Sequence, residues 1–432
     1  MRVRWITLLS LIVLGATAHG ETTDVQFSLE KAIGIAMSRS PRIRSLDARL
    51  QEVQADRGVA RSGFLPKVGV ATGLEKNPAY GEQSERLTYG YASWNVFKGF
   101  ADRRATQLAS FEVSKAELEL ESEKFALALE VEARFFKILG ALRSFNEWNE
   151  AADLNRSALK DVRLRRGAGM ASEGDYVAFE VRQSRIDSDL ADAKLALDIE
   201  KATFNRLLGH EVGQGIKFSG KIPRFELGES GEAIIATAHE KSFALKAAAI
   251  DVAKYDVETA KWLSGALPTI DLEARNGWLP LGERTASIAS KNTPSTYLVM
   301  TAKMDLFSGL STVNERRAAI ARKTQSDEQL REASAELLSV VEQHVRKLLL
   351  MEKRLRAEAE NVKKTTKYKE ATSREYRAGV KTGLDYAAAI DMAIESRRRY
   401  VDSLLTWHDE RFGLEKAIGR RVSVKEISGE EK

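Results

Sequence analysis

One stretch of this chain occurs twice, and the repeat limits the possible folds more than any other feature. Residues 165–179 (RRGAGMASEGDYVAF) align with residues 375–389 (EYRAGVKTGLDYAAA) at an offset of 210. Gly169 falls under Gly379, Ser172 under Thr382, Asp175 under Asp385 and Tyr176 under Tyr386. The match extends outward: 95–100 (NVFKGF) aligns with 305–310 (DLFSGL), and 207–209 with 417–419, at the same offset. Upstream, GFLP at 63–66 resembles GALP at 265–268 at an offset of 202, so eight residues were gained in a loop between Pro268 and Phe307. Self-similarity on this scale means a duplicated unit of about 200 residues.

Proline placement divides each copy. Prolines stand at 41, 66, 78, 223, 268, 280 and 294, with none from 79 to 222 or beyond 294. Proline removes a helix hydrogen bond and clashes with the preceding turn, so long helices need stretches without it. Both stretches are rich in Ala, Leu, Glu, Lys and Arg, which favour helix. Residues 100–165 form one candidate helix, about 100 Å long at ~1.5 Å per residue. Such a length implies a coiled coil or extended bundle. Val341, Leu348, Leu355 and Val362 fall seven apart, as do Phe111, Leu118 and Phe125, which fits left-handed supercoiling. Many other seam positions hold alanine or a charge, which predicts small-residue packing with one wet face.

The segments around the prolines predict strands at about 67–74, 87–97, 269–275 and 297–307. Leu298, Met300, Ala302, Met304 and Leu306 alternate with Val299, Thr301, Lys303 and Asp305, a period of two with an apolar and a mostly polar face. In the first copy the aligned apolar face is Thr88, Gly90, Ala92, Trp94 and Val96. Strands of about ten residues suit a tilted crossing of a membrane. The connections at about 75–86 and 276–296 carry the Gly, Pro, Asn, Ser and Glu of surface loops. Each half is therefore helix, strand, loop, strand, very long helix, tight turn, long helix.

The N-terminus is of another kind. MRVRW carries two arginines, ITLLSLIVLGA is apolar, and Ala16-Thr17-Ala18 offers small residues for cleavage. Residues 1–18 thus read as a secretory signal peptide, cleaved after Ala18 or Gly20. The apolar run is about half of the ~20 residues that span a bilayer, so it is no anchor. The chain has no cysteine, which excludes disulfides, thiolate metal sites, cysteine nucleophiles and a lipid-modified N-terminal cysteine. Its net charge of +5 is spread along alternating acids and bases, which does not point to nucleic acid. The five histidines, at 19, 210, 239, 344 and 408, have no ligand spacing, and no arrangement suggests an enzyme or a cofactor.

This order of motifs resembles the TolC-like outer-membrane efflux proteins, the outer membrane factors. The likeness is carried by Ser28-Leu29-Glu30-x-Ala32 to Ser40-Pro41, by Gly63-Phe64-Leu65-Pro66, and by Phe97-Lys98-Gly99 with Phe307-Ser308-Gly309. It continues through Gly169-Met170-Ala171-Ser172 and Gly379-Val380-Lys381-Thr382, each followed three residues later by aspartate, to Leu208-Gly209 and Ile418-Gly419. Each motif is weak alone, but the ordered set, present twice, spans essentially the whole mature chain.

The resemblance implies a mostly α fold with a small membrane β-barrel. Three subunits would each give four strands to a twelve-stranded barrel in the outer membrane, and the long helices would form a periplasmic α-barrel. The first repeat would be 19–212 and the second 241–419, with an equatorial linker at 213–240 and an equatorial tail at 420–432. Four strands cannot close a barrel, and an open sheet edge is forbidden in lipid, so oligomerisation is required on physical grounds as well. The function implied is a passive duct in a tripartite efflux or type I secretion system, docked to a periplasmic adaptor and an inner-membrane pump of RND or ABC type. A periplasmic or secreted coiled-coil scaffold without a pore is the competing class, and it has no use for the strand pair.

Gly169 and Gly379 allow chain reversal at a helix end, and Ser172 and Thr382 can cap the returning helix. By resemblance the same tips, at 165–175 and 375–385, would also meet the adaptor. Asp175, Tyr376 and Lys381 match positions at which the family closes its periplasmic end. Asp385 matches an aspartate at the pore constriction, where a threefold ring would attract a cation. Two departures weaken the latch. Lysine stands where the family's type member has arginine, and lysine cannot form the bidentate fork. A second acidic position is Ala388, so the ring would be single. An exposed ion pair contributes only ~0–1 kcal/mol, so several contacts must act together. The plainer reading is that Asp175 and Asp385 only favour helix N-termini. Tyr89, Tyr91, Ser93, Asn95, Lys303 and Asp305 would line the barrel, since Lys303 and Asp305 on the lipid face would cost a few kcal/mol each. The basic run Lys363–Lys369 reads as a solvated helix face.

Overall fold

The computed structural model describes residues 28–75, 85–210, 216–280 and 294–427. The expected signal peptide lies outside the described residues, as do 76–84 and 281–293 of the two expected loops. The two halves follow one plan. Helices α1 (Leu29–Arg39) and α2 (Pro41–Arg61) lead into strands β1 (Lys67–Glu75) and β2 (Glu85–Lys98), then α3 (Ala101–Gly167) and α4 (Glu173–Leu207). After β3 (Phe225–Leu227), the second half repeats this with α5 (Gly231–Lys241), α6 (Phe243–Thr259), the single turn α7 (Leu263–Ala266), β4 (Thr269–Trp278), β5 (Ser295–Lys303), α8 (Ser311–Arg377) and α9 (Gly383–Ile418). Strand β6 (Val424–Glu426) pairs antiparallel with β3.

Local chemistry sets these boundaries. Ser28, Ser40 and Ser230 each accept a backbone N–H three residues on, satisfying an otherwise unpaired donor. Helices α3 and α8 each run 67 residues, about 100 Å. Both begin after a pair of left-handed residues, Gly99-Phe100 and Gly309-Leu310, which turn the chain from strand into helix. A left-handed Phe or Leu carries strain of roughly 1–2 kcal/mol, present at the same place in both copies.

The four longer strands form one antiparallel sheet in the order β1-β2-β4-β5. Strands β2 and β4 join the two halves, with Tyr91 opposite Arg275 and Trp94 opposite Leu272. A bulge at Val96 shifts the register between Asn95 and Phe97. Strand β5 ends at Lys303, short of the expected Phe307, so Asp305 lies past the strand. The cause is Pro268. Thr269 pairs with Lys303, and the next position on β4's side is a proline, which has no N–H to donate.

The core lies in the helices. One cluster packs α1 against α3 and α4, around Leu127, Ile138, Phe204 and Leu208. The other packs α5, β3 and β6 against α8 and α9, around Ile234, Val341, Leu348, Leu355 and Trp407. The α8 seam is as expected, although Val362 is only half-buried. The α3 seam is not: Phe111, Leu118 and Phe125 are half-buried, and a parallel row at Val113, Leu120 and Leu127 is buried instead. Both rows are apolar with the same spacing. Val53 of α2 covers Val113, and Leu120 and Leu127 fall in the cluster that α1 and α2 share with α3, which selects the second row.

A buried polar layer joins the two halves. Arg411 pairs with Glu132, and Arg421 reaches Glu132 at 2.7 Å and Glu415 at 2.9 Å. Burial raises the Glu415 carboxyl, and the two arginines oppose that shift. His408 lies beside Phe136 and donates Nε2–H to the Pro223 carbonyl at 2.8 Å. Burial lowers its pKa to about 3 from an ordinary 6.5, despite that hydrogen bond. The folded state therefore binds its proton less readily than the unfolded chain. The His408 contribution is complete above pH 6.5 and is lost as pH falls toward 3. We expect His408→Gln to lose less stability than the parent between pH 6.5 and 5, by about 1.4 kcal/mol per pH unit. Thermal unfolding at several pH values checks this, and parallel acid limbs would refute it.

Candidate functional site

Two regions stand apart as surfaces that a single chain leaves unfinished: the helix-hairpin tips and the sheet. At the first tip α3 is closed by left-handed Gly169 two residues past its end, with the Met170 N–H on the Arg165 carbonyl at 2.8 Å and the Gly169 N–H on the Arg166 carbonyl at 3.0 Å. The second tip repeats this at Gly379, with Val380 on Glu375 at 2.9 Å and Gly379 on Tyr376 at 3.1 Å. This pair of bonds is a Schellman turn. Ser172 and Asp175 then close a capping box, with the Ser172 hydroxyl accepting from the Asp175 N–H at 3.0 Å and the Asp175 carboxylate accepting from the Ser172 N–H at 3.2 Å. Thr382 and Asp385 do the same at 3.2 and 3.0 Å. The Thr382 hydroxyl and N–H hold the Asp385 carboxyl below its ordinary value, so it is ionised at neutral pH.

The two copies differ where the sequences diverge. Arg166 spends its charge locally, 2.8 Å from Glu173 and stacked on Tyr176. Its counterpart Tyr376 is buried, stacked on Tyr386 at 5.5 Å, with the Arg165 guanidinium over its ring at 4.9 Å. Burial raises the Tyr376 phenol above its ordinary value, and its hydroxyl has no hydrogen-bond partner among the described residues. The structure brings Asp175 of the first tip near enough to Tyr376 of the second to act on its phenol, but the hydrogen bonds of Asp175 go to its own helix cap. Lys381 is exposed, near enough to Asp385 to favour its charge. Each tip also presents an apolar side chain to solvent, Met170 at 73% and Val380 at 74% exposure. No group of three His, Asp or Glu side chains converges on a metal position within one chain, among the described residues.

The sheet has two unlike faces. Val68, Val70, Leu74, Trp94, Leu298 and Met300 are all exposed on one. The other carries Tyr89, Tyr91, Ser93 and Asn95 on β2, with Lys303 on β5. It also carries Asp271, Glu273 and Arg275 on β4, which are not among the expected lumen residues. Period two within 269–275 is enough to place all three on one face of the strand. Asn95 donates to Asp271 at 2.6 Å, and Arg275 pairs with Glu273 at 2.9 Å while lying near the rings of Tyr89 and Tyr297. Asp305 sits past the strand end, 3.7 Å from Lys303. Strands β1 and β5 are edges with unpaired ladder groups. No helix among the described residues is long and apolar enough to cross a membrane.

An exposed apolar face opposite a polar one, on a sheet with two free edges, is the pattern of strands that meet lipid on one side and water on the other. The sequence matches the family model for outer membrane efflux proteins over residues 32–210 and 234–420, and the chain belongs to that family. It is an outer membrane efflux protein, not an enzyme. The fold is shared with a membrane protein from Pseudomonas aeruginosa (TM-score 0.77, 15% identity, 97% of each chain). It is shared too with the outer membrane protein VceC from Vibrio cholerae (0.74, 15%, 91% of this chain and 97% of that one). The open state of the MtrE outer membrane channel from Neisseria gonorrhoeae is also similar (0.73, 14%, 91% and 89%). No curated protein matches the sequence.

Proposed function

We propose that three copies close the sheet into a twelve-stranded barrel and that the long helices form a periplasmic tube with a gated entrance at the hairpin tips. The observation that carries this is the sheet: edges β1 and β5 are free, and only the face turned away from Tyr89, Tyr91 and Arg275 is apolar enough for lipid. Lys303, Asp271 and Arg275 then line a wet lumen, and Asp305 sits at its periplasmic rim. Strands β3 and β6 with α5 make a belt around the tube. The channel is passive. An inner-membrane pump of RND or ABC type drives export through it, for efflux or type I secretion, with a periplasmic adaptor between them. Exposed Met170 and Val380 beside Gly169, Ser172, Gly379 and Thr382 offer the adaptor an apolar contact with little steric bulk. The purified protein should be a trimer that requires detergent and conducts ions in planar bilayers. A water-soluble monomer would end this reading.

The gate comprises Asp175, Tyr376, Lys381 and Asp385. Tyr376 supports it, because its buried hydroxyl is unpaired within one chain and so is left for a contact that a neighbouring copy supplies in the closed entrance. Asp175→Ala and Tyr376→Phe are each expected to raise single-channel conductance. If neither does, these residues only build the turn. Three ionised Asp385 side chains near one axis favour a cation, so divalent or trivalent ions should block the parent more strongly than Asp385→Ala. Equal block removes that ring as the ion site.

A further inference from the structure

We propose that the ion pair between Arg182 of α4 and Asp391 of α9, braced by Asn155 of α3, is the tie that holds the two hairpins together at the entrance, and that opening must break it. This rests on the reading of the tips as a gated entrance and names a device within it that the turn motif does not contain.

The contacts between the hairpins change in kind along the tube. At the equator they are buried, with Arg411 on Glu132. Lower down, Glu150 meets Lys369 and Arg397 only at 3.8 and 3.9 Å. Near the tips a cleft of about 650 Å³, lined by Trp148, Ile186 and Asp391 among others, opens between α4 and α9. Arg182 crosses it, with Nη2 donating to the Asp391 carboxylate at 2.7 Å. Beside this bond the bridging contacts are Phe179 with Ala387 and the Arg165 guanidinium over the Tyr376 ring.

The pair is asymmetric, and that makes it a tie. The Arg182 side chain is only 11% exposed, whereas Asp391 is 55% exposed. Arg182 is held from behind. Its Nη1 donates to Asn155 Oδ1 at 3.3 Å, and fully buried Asn155 donates to the Phe179 carbonyl at 3.2 Å and to Gln183 at 2.9 Å. The Arg182 Nε is buried without a partner, and no second carboxylate pairs with this guanidinium among the described residues. If α9 swings away, Asp391 is hydrated readily, but Arg182 keeps its charge in a partly buried socket with no counter-ion. A charge left that way is costly, so the closed arrangement is favoured. Asp391 lies six residues beyond Asp385, about 9 Å along the helix, so this tie is separate from the capping boxes.

Single-channel recording of purified trimers in planar bilayers tests it. Asp391→Asn and Arg182→Asp should each raise the open fraction about fivefold or more. The double variant Arg182→Asp with Asp391→Arg should return it toward the parent value, which a merely structural role would not do. Circular dichroism and trimer yield show that each variant folds. If Asp175→Ala and Tyr376→Phe open the channel while Asp391→Asn does not, the tie is overturned and the gate stands. If single variants open it but the swap does not close it, the effect is not the ion pair. A parent that forms no pore overturns the channel reading and the tie with it.

Discussion

Glu132→Ala is expected to destabilise each subunit by about 3–5 kcal/mol, the range for removing one partner of a buried ion pair. Glu132 is nearly buried and serves two arginines, Arg411 through Oε1 and Arg421 through Oε2. Without it, Arg411 is left buried with Glu415 at 3.8 Å as its remaining carboxylate. Arg421, which anchors the chain just before β6, also loses a contact, so the loss spreads to the β3–β6 pair. The control is Glu342→Ala. Glu342 pairs with Arg346 one turn on, on an exposed face, and such pairs contribute only ~0.3–0.5 kcal/mol. Thermal unfolding of detergent-solubilised protein, followed by circular dichroism, should separate the two variants clearly. Similar losses from both would mean that the Glu132 layer is not the joint between the halves.

A charge on the apolar face of the sheet has the larger effect on assembly. Met300→Arg should cost about 2–4 kcal/mol per subunit near the bilayer middle, so roughly 6–12 kcal/mol in a trimer. Met300 lies within β5, on the exposed face with Val68 and Leu298. The neighbouring Thr301→Arg puts the same charge on the other face, opposite Asp271, where water and a carboxylate receive it. The yield of heat-resistant trimer in outer-membrane fractions is expected to collapse for Met300→Arg and to stay near parental for Thr301→Arg. The reverse order would mean that the faces are assigned the wrong way round.

Much of this architecture is legible because its causes are local. A capping box needs partners three residues apart, so Gly169 with Ser172-x-x-Asp175, and Gly379 with Thr382-x-x-Asp385, foretell both tips. The strand faces follow from period two, so Tyr89, Tyr91, Ser93, Asn95 and Lys303 fall on one side without knowledge of any partner. The errors came where a neighbour decides. The alternation of β5 runs on to Phe307, but its end is set by Pro268, just before the strand beside it. The α3 sequence offers two equivalent apolar rows, and only the packing of α1 and α2 distinguishes them.

The sequence by itself determined the duplication, the proline-free helices, the hairpin turns and the unlike faces of the strands, since each depends on spacings of a few residues or on one exact offset. The tertiary structure alone decided that β2 pairs with β4 to make one sheet from two halves. It alone joined Glu132 to Arg411, 279 residues apart, and Arg182 to Asp391, 209 residues apart. Pairings at such distances leave no period in the chain, because they arise when whole helices pack and bring into contact charges that look alike on every solvated face.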